Sequence, residues 1–430
     1  MLIEVSVANY RSFRDRVTLS LEAEPRLSER DKSVDERNIA QTPEGGVLRV
    51  AGLYGANASG KSNLVRALGA FRALVLDSAR EGQAGDLLPA DPFLLDEGSA
   101  REPSEFEVVY VEDGLQVRYG AAFSRERFSR EWLFARPTGA EAEERWFERL
   151  GDVYETGEAW RRDPGIEEKT RPEALHLSAA AAWRHPQAEK VLAWFKALTV
   201  VDGLRDTGLL SRTIALLEEG GRGEAIRTFV RRLDLGVDDL AVRRSEWEDA
   251  EPPRGGPVHA RRVFGFGSGW FRQIKTVRRG VEFELANESA GTARAIALAG
   301  PIVEVLAGGG VMIVDEFDAR LHTLLAKQIV ELFQDPEVNR HDAQLIFASH
   351  DTNLLTRALL RRDQLWFVEK SHKTQSSDLY SLAELRFPDG KGVRNDARYE
   401  EDYLQGRYGA IPFFGDLGAI LGEALEKQAK

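Results

Sequence analysis

The sequence predicts an α/β protein, a parallel sheet around a phosphate-binding loop joined to an antiparallel β-lobe and a helical insertion. Three observations carry this. "GANASGKS", residues 55–62, fits the pattern G-x-x-x-x-G-K-[ST] between an apolar run and a helix-like run. From 311 to 369, strand-like "VMIVDEF", "AQLIFASH" and "QLWFVEK" alternate with helix-like stretches, the pattern of parallel strands with crossover helices. "EFEVVYVEDGLQVRYGAAF", residues 105–123, alternates apolar and polar on both sides of Asp113-Gly114, which reads as a β-hairpin.

The remaining elements follow in chain order. Residues 2–8 alternate, and "RVTLSLEA" at 16–23 does so again, which predicts a hairpin across "NYRSFRD". Residues 28–45 are polar and read as a loop. "VLRVAGLY" reads as the strand feeding the phosphate loop, and "KSNLVRALGAFRALVL" as its helix. From about 141 to 250 the pattern is helical and charged without a sustained heptad, hence a compact insertion and not a long coiled coil. Strand-like segments return near 258–286. The division is a first half of the head over 1–140, a mainly helical insertion over 141–257, a second half over 258–393 and a tail over 394–430.

Composition narrows the partners. A net charge of -12 argues against a mainly electrostatic nucleic-acid binder. The absence of cysteine excludes disulfides and thiolate metal sites. The chain opens directly into strand-like "MLIEVSVANY", unlike a signal peptide. The longest apolar stretch, near 295–314, is interrupted by Pro301, Glu304 and glycines, so no membrane partner is expected. These features predict a soluble, cytoplasmic protein.

The candidate chemistry follows from residue type and order. The glycines let the backbone point N–H groups at phosphate oxygens, and the following helix offers its positive end to the same anion. Lys61 would reach the β- and γ-phosphates, and Ser62 would ligate Mg²⁺. In "VMIVDEFD", Asp315 and Glu316 end a buried strand. Alone, such a pair is ordinarily a helix cap; behind a phosphate loop, Asp315 reads as a Mg²⁺-shell carboxylate and Glu316 as the general base. His350 ends the next apolar run, where its side chain would face the γ-phosphate. Ser289 and Gly291, in "ESAGT", sit where a strand gives way to a helix, a ready anion site as well as an ordinary N-cap.

Taken in order, these pieces resemble the ABC-type ATPase heads of the SMC and RecF group, within the P-loop NTPases. "NYRSF" and "GANASGKSNL" look like that group's opening strand and phosphate loop, "ESAGT" like its signature motif and "ARLH" (319–322) like its D-loop. "IVDEFDARLH", "LIFASHDTNLL", "QLWFVEK" and "YLQGRYGAIPFF" narrow the resemblance to stand-alone AAA family ATP-binding proteins of bacterial and archaeal phage-defence loci. The resemblance implies ATP and Mg²⁺ as cofactors. It counts Asn57, Gly60, Lys61, Ser62 and Asn63 as nucleotide-binding, with Arg11 and Ser12 near the nucleotide. It also implies a homodimer or larger assembly in which Ser289 and Gly291 of one copy complete the γ-phosphate site of the other, with Leu321 and His322 along the seam. Ala290 stands where the common signature has glycine, and Gln83, Gln116, Gln187 and Gln273 are the candidates for a Q-loop glutamine.

The function implied is a slow, regulated ATPase switch that controls a separate effector, a nuclease encoded alongside. The alternative is a DNA repair or DNA-clamping head. For that, "PPRGGPVHARRVFGFGSGWFRQIKTVRRG" (252–280) offers basic residues interleaved with Phe264, Phe266, Trp270 and Phe271, making nucleic acid a candidate ligand. The bland reading of that stretch is solvent-edged strands with aromatics in the core, and it is preferred. The aromatic tail at 394–414 reads first as packing against the head and second as an interaction surface.

Overall fold

The computed structural model describes residues 1–25, 32–80, 87–160, 163–203, 206–247, 269–394 and 397–412, with positions 421 and 425. At its centre is a six-stranded sheet in the order 198–201, 311–314, 344–348, 50–54, 365–370, 377–381. All pairs are parallel except the last, where Ser377–Ser381 returns antiparallel to Leu365–Lys370. The inner strands 50–54, 311–314 and 344–348 are buried along their whole length because both faces are covered. Alternation splits each strand between two cores. Ala51, Leu53, Val311, Ile313, Ile346 and Val368 join the core shared with helix Lys61–Asp77 and the β-lobe. Val50, Tyr54, Met312, Val314, Phe347 and Phe367 face the core shared with helices Ala290–Gly308 and Thr323–Gln334.

The β-lobe is a seven-stranded antiparallel sheet running from Val153–Thr156 at one edge to Val17–Ser20 at the other. It contains both hairpins read from the sequence, 2–20 and 104–123. At the tip of the second, Asp113 and Gly114 take φ 50° and 73°, the paired positive values of a tight two-residue turn.

Three expectations change. The described part of 141–257, expected to be a mainly helical insertion, carries strands of the head as well as helices. Glu144–Leu150 and Val153–Thr156 extend the β-lobe, Leu198–Val201 is the edge strand of the central sheet, and Asp239–Trp247 pairs with Gly269–Arg278. The helices between them, Pro186–Ala197, Thr207–Leu217 and Gly220–Arg232 among them, pack on the head. Between strands 344–348 and 365–370 there are only short 3-10 turns and no crossover helix. Leu354, Leu355, Leu359 and Leu360 are buried at helix-like spacing, but the Leu359 carbonyl is taken by the Gln334 amide at 2.7 Å. Within 28–45, read as a loop, Lys32–Asn38 is helical and Ile39–Thr42 pairs with Gly45–Leu48.

Helix Ala290–Gly308 is long and apolar enough to cross a membrane by composition, yet it is mostly buried inside this fold. Pro301 removes the N–H that would bond the Ala297 carbonyl, and Thr213 Oγ1 donates to that carbonyl instead, at 3.0 Å. An internal partner thus repairs the one broken rung.

Candidate functional site

The phosphate loop leaves strand Val50–Tyr54 at the C-terminal edge of the parallel sheet, the edge where α/β folds gather ligand chemistry. Gly60 has φ 121°, and a Cβ there would lie 2.6 Å from Ser377 Oγ and 2.7 Å from Ser12 Oγ, so only glycine fits. Ala58 holds φ 62° without being glycine, a strain of the kind kept at functional sites. Helix Lys61–Asp77 begins directly after Gly60 with no side-chain cap, leaving its positive end to a ligand. The Lys61 ammonium donates to the carbonyls of Gly55 and Ala56, at 2.7 and 3.2 Å. Desolvation lowers its pKa to about 8, and Asp315, Asp318 and Glu316 pull back in the opposite direction.

The two following strands close the site. Val311–Val314 ends in Asp315, which is buried, and its N–H bonds the Val201 carbonyl at 2.9 Å. Glu316 is exposed with φ 50°, a positive value that a non-glycine residue rarely adopts. The backbone of Phe317 is anchored to the Ala348 carbonyl at 2.9 Å, so Glu316 turns out between two fixed residues. His350 follows Gln344–Ala348, the strand lying between the acidic strand and the phosphate-loop strand. Its N–H bonds Asp318 Oδ1 at 3.1 Å, and its pKa is lowered, by desolvation first and by the Lys61 ammonium second.

One cleft of about 580 Å³ results, a size suited to a small-molecule ligand. Of the residues expected from sequence, Asn57, Gly60, Lys61, Ser62 and Asn63 line it on one side, and Asp315, Glu316 and His350 on another. Ser12 is there too, accepting from the Asn63 amide at 2.9 Å. The donor set fits a Mg²⁺–nucleotide. Cation, helix start and buried carboxylate converge, and Ser59 Oγ in the loop is buried without a hydrogen-bond partner. Sequence reasoning missed Ser59, Arg66 and Lys370, which also line the cleft.

Arg11, Ser289 and Gly291 do not line this cleft. Arg11 has φ 51° and pairs with Asp91 at 2.9 Å. Ser289 caps its own helix, accepting from the Thr292 N–H at 3.1 Å, and is exposed. A Cβ on Gly291 would lie 2.6 Å from the Arg320 carbonyl, so the signature-like turn packs against the loop following Glu316. Glu288 braces this turn by taking Arg278 at 2.6 and 2.8 Å. Gln116, Gln187 and Gln273 are absent from the cleft lining, and Gln83 lies outside the described residues. Most of the basic stretch, 252–268 with Phe264 and Phe266, also lies outside them. In the tail, Tyr399, Tyr403 and Tyr408 are buried in the second core, where Tyr408 and Phe367 centroids are 5.9 Å apart, while Phe413 and Phe414 are outside the described residues.

A family model described as "AAA domain, putative AbiEii toxin, Type IV TA system" matches residues 50–182 and 264–356, more than half of the chain. The chain belongs to this family. Its phosphate loop on a parallel sheet accords with an AAA domain, and nucleotide binding comes with the family. Among solved structures, an Smc head bound to the C-winged helix domain of ScpA is 13% identical, with 88% of this chain and 97% of that one covered and a TM-score of 0.44. The SMC head domain from Thermotoga maritima is 15% identical over 88% of this chain and 98% of that one, TM-score 0.41. The recombination mediator RecF-ATP is 14% identical over 88% and 97%, TM-score 0.31. None of the curated proteins matches the sequence.

Proposed function

We propose that this AAA-family chain is a cytoplasmic ATP switch of a phage-defence system, in which two copies close around ATP and control a separate effector, a nuclease. One observation carries the reading. The phosphate loop, Asp315, Glu316 and His350 share a cleft, whereas Ser289 and Gly291 of the same chain do not line it. A site divided in this way is completed by a second copy, which makes ATP the ligand that joins them. The family description, with its abortive-infection-type toxin name, supports the defence setting.

In this reading Lys61 and the loop amides hold the triphosphate, and Ser62 and Asp315 would hold Mg²⁺, which would supply charge neutralisation at the phosphoryl oxygens. Glu316, exposed on its strained turn, takes a proton from the attacking water. His350, neutral near pH 7 because its pKa lies below the ordinary 6.5, offers a hydrogen bond towards the γ-phosphate. Gly291 packs on Arg320, so opening the loop after Glu316 shifts the face offered to the partner copy.

Mixing two inactive variants tests this. Lys61→Ala spoils the phosphate-loop half of the site, and Ser289→Arg spoils the half given to the partner. Mixed dimers would regain one intact site, so about a quarter of parental turnover should return. A mixture as inactive as its components would refute the shared site.

A further inference from the structure

We propose that Lys370 is a ligand of the β- or γ-phosphate of the bound nucleotide, reaching it from the sheet hairpin beside the phosphate loop; this rests on the nucleotide reading above. The hairpin is Leu365–Lys370 with Ser377–Ser381, and its first strand runs parallel to Val50–Tyr54 with Phe367 level with Tyr54. Alternation divides its side chains. Leu365 and Phe367 enter the second core, while Trp366 and Val368 enter the core on the phosphate-loop side. Lys370 has the parity of Trp366 and Val368, and it lines the nucleotide cleft.

Its cross-strand partner Ser377 fixes that face against the loop. Ser377 Oγ donates to the Ser59 carbonyl, and Ser377 N–H donates to the Ser12 carbonyl at 2.7 Å. The hairpin is therefore part of the wall of the phosphate site, and Lys370 moves with that wall.

The other cations of the cleft are already engaged. Lys61 donates to two loop carbonyls, and Arg66 pairs with Asp202 at 3.3 Å. Among the described residues no carboxylate pairs with the Lys370 ammonium. Its neighbour Glu369 points to the opposite face, where Tyr380 Oη donates to it at 3.2 Å and Gly409 leaves too little room for a Cβ. An ammonium on a flexible stem, with three donors and no acid of its own, suits a phosphate oxygen as a point charge.

The test is titration with fluorescent ATP and AMP of Glu316→Gln protein, alone and combined with Lys370→Ala, Lys370→Arg or Lys61→Ala. Lys370→Ala should weaken ATP binding by about ten- to a hundredfold, the effect of one charge-assisted hydrogen bond. It should weaken AMP less, and Lys370→Arg, which keeps the charge and checks the fold, should stay within a few-fold of the parent. ATP binding by Lys370→Ala within twofold of the parent, with Lys61→Ala defective, would overturn the inference. Equal losses for ATP and AMP would overturn it as well, since they would place Lys370 on the base, the ribose or the α-phosphate alone. Normal binding by Lys61→Ala would instead sink the underlying nucleotide site.

Discussion

Nucleotide affinity should fall as pH rises through about 8, because Lys61 is poised to lose its proton there. In the free protein desolvation brings its pKa from 10.5 to about 8, so holding the ammonium in place costs roughly 3 kcal/mol relative to water. A phosphate beside Nζ favours the charged form. Binding therefore takes up a proton wherever the free protein has already lost it. At about pH 9 only about one-tenth of the free protein keeps the proton, so Kd should be about tenfold above its value at about pH 7. The assay is fluorescent-ATP titration of Glu316→Gln protein across that range, where the triphosphate is already ionised. Stability has the opposite slope. Between about 8 and 10.5 the unfolded chain holds the proton and the folded chain does not, so Lys61 makes unfolding free energy rise with pH in that window. A Kd constant within twofold from pH 7 to 9, or the same slope in Lys61→Ala, would refute the reasoning.

Three further outcomes are expected. Glu316→Gln should cut turnover at least about a hundredfold while ATP affinity stays within about threefold, as steady-state kinetics and titration would show. Gly60→Ala meets both a positive φ and hydroxyl oxygens within 2.7 Å, so it should abolish nucleotide binding and destabilise the fold by about 1–3 kcal/mol in urea unfolding. Turnover should hold steady from about pH 8 down to 6.5 and decline only below it, as His350 takes up its proton; a His350→Gln profile that kept the same acid limb would remove His350 from that role.

Much of the cleft was legible because chemistry and order coincide on short local segments. "VAGLYGANASGKS", "VMIVDE" and "LIFASH" each pair an apolar strand with polar residues at its end, and parallel packing brings those ends together. Residues that depend on distant contacts were less visible. Lys370 ends the quoted run "QLWFVEK", but its place in the cleft follows from parity and from Ser377 bonding to the loop. The leucines at 354–360 have a helix's spacing but are buried in turns whose carbonyls are satisfied by side chains from elsewhere. Likewise the strand 198–201 is short and partly polar, and only its pairing with Val311–Val314 makes it part of the central sheet. Ser289 and Gly291 carry a readable motif, but one chain alone does not bring them to the nucleotide.

The measurement that tests the account most directly is the solution mass of Glu316→Gln protein with and without ATP and Mg²⁺. With hydrolysis blocked, ATP should double the mass from that of the 48.0 kDa chain, and Ser289→Arg should abolish the doubling. A protein that binds ATP yet stays at 48.0 kDa would contradict the shared site and the switch built on it.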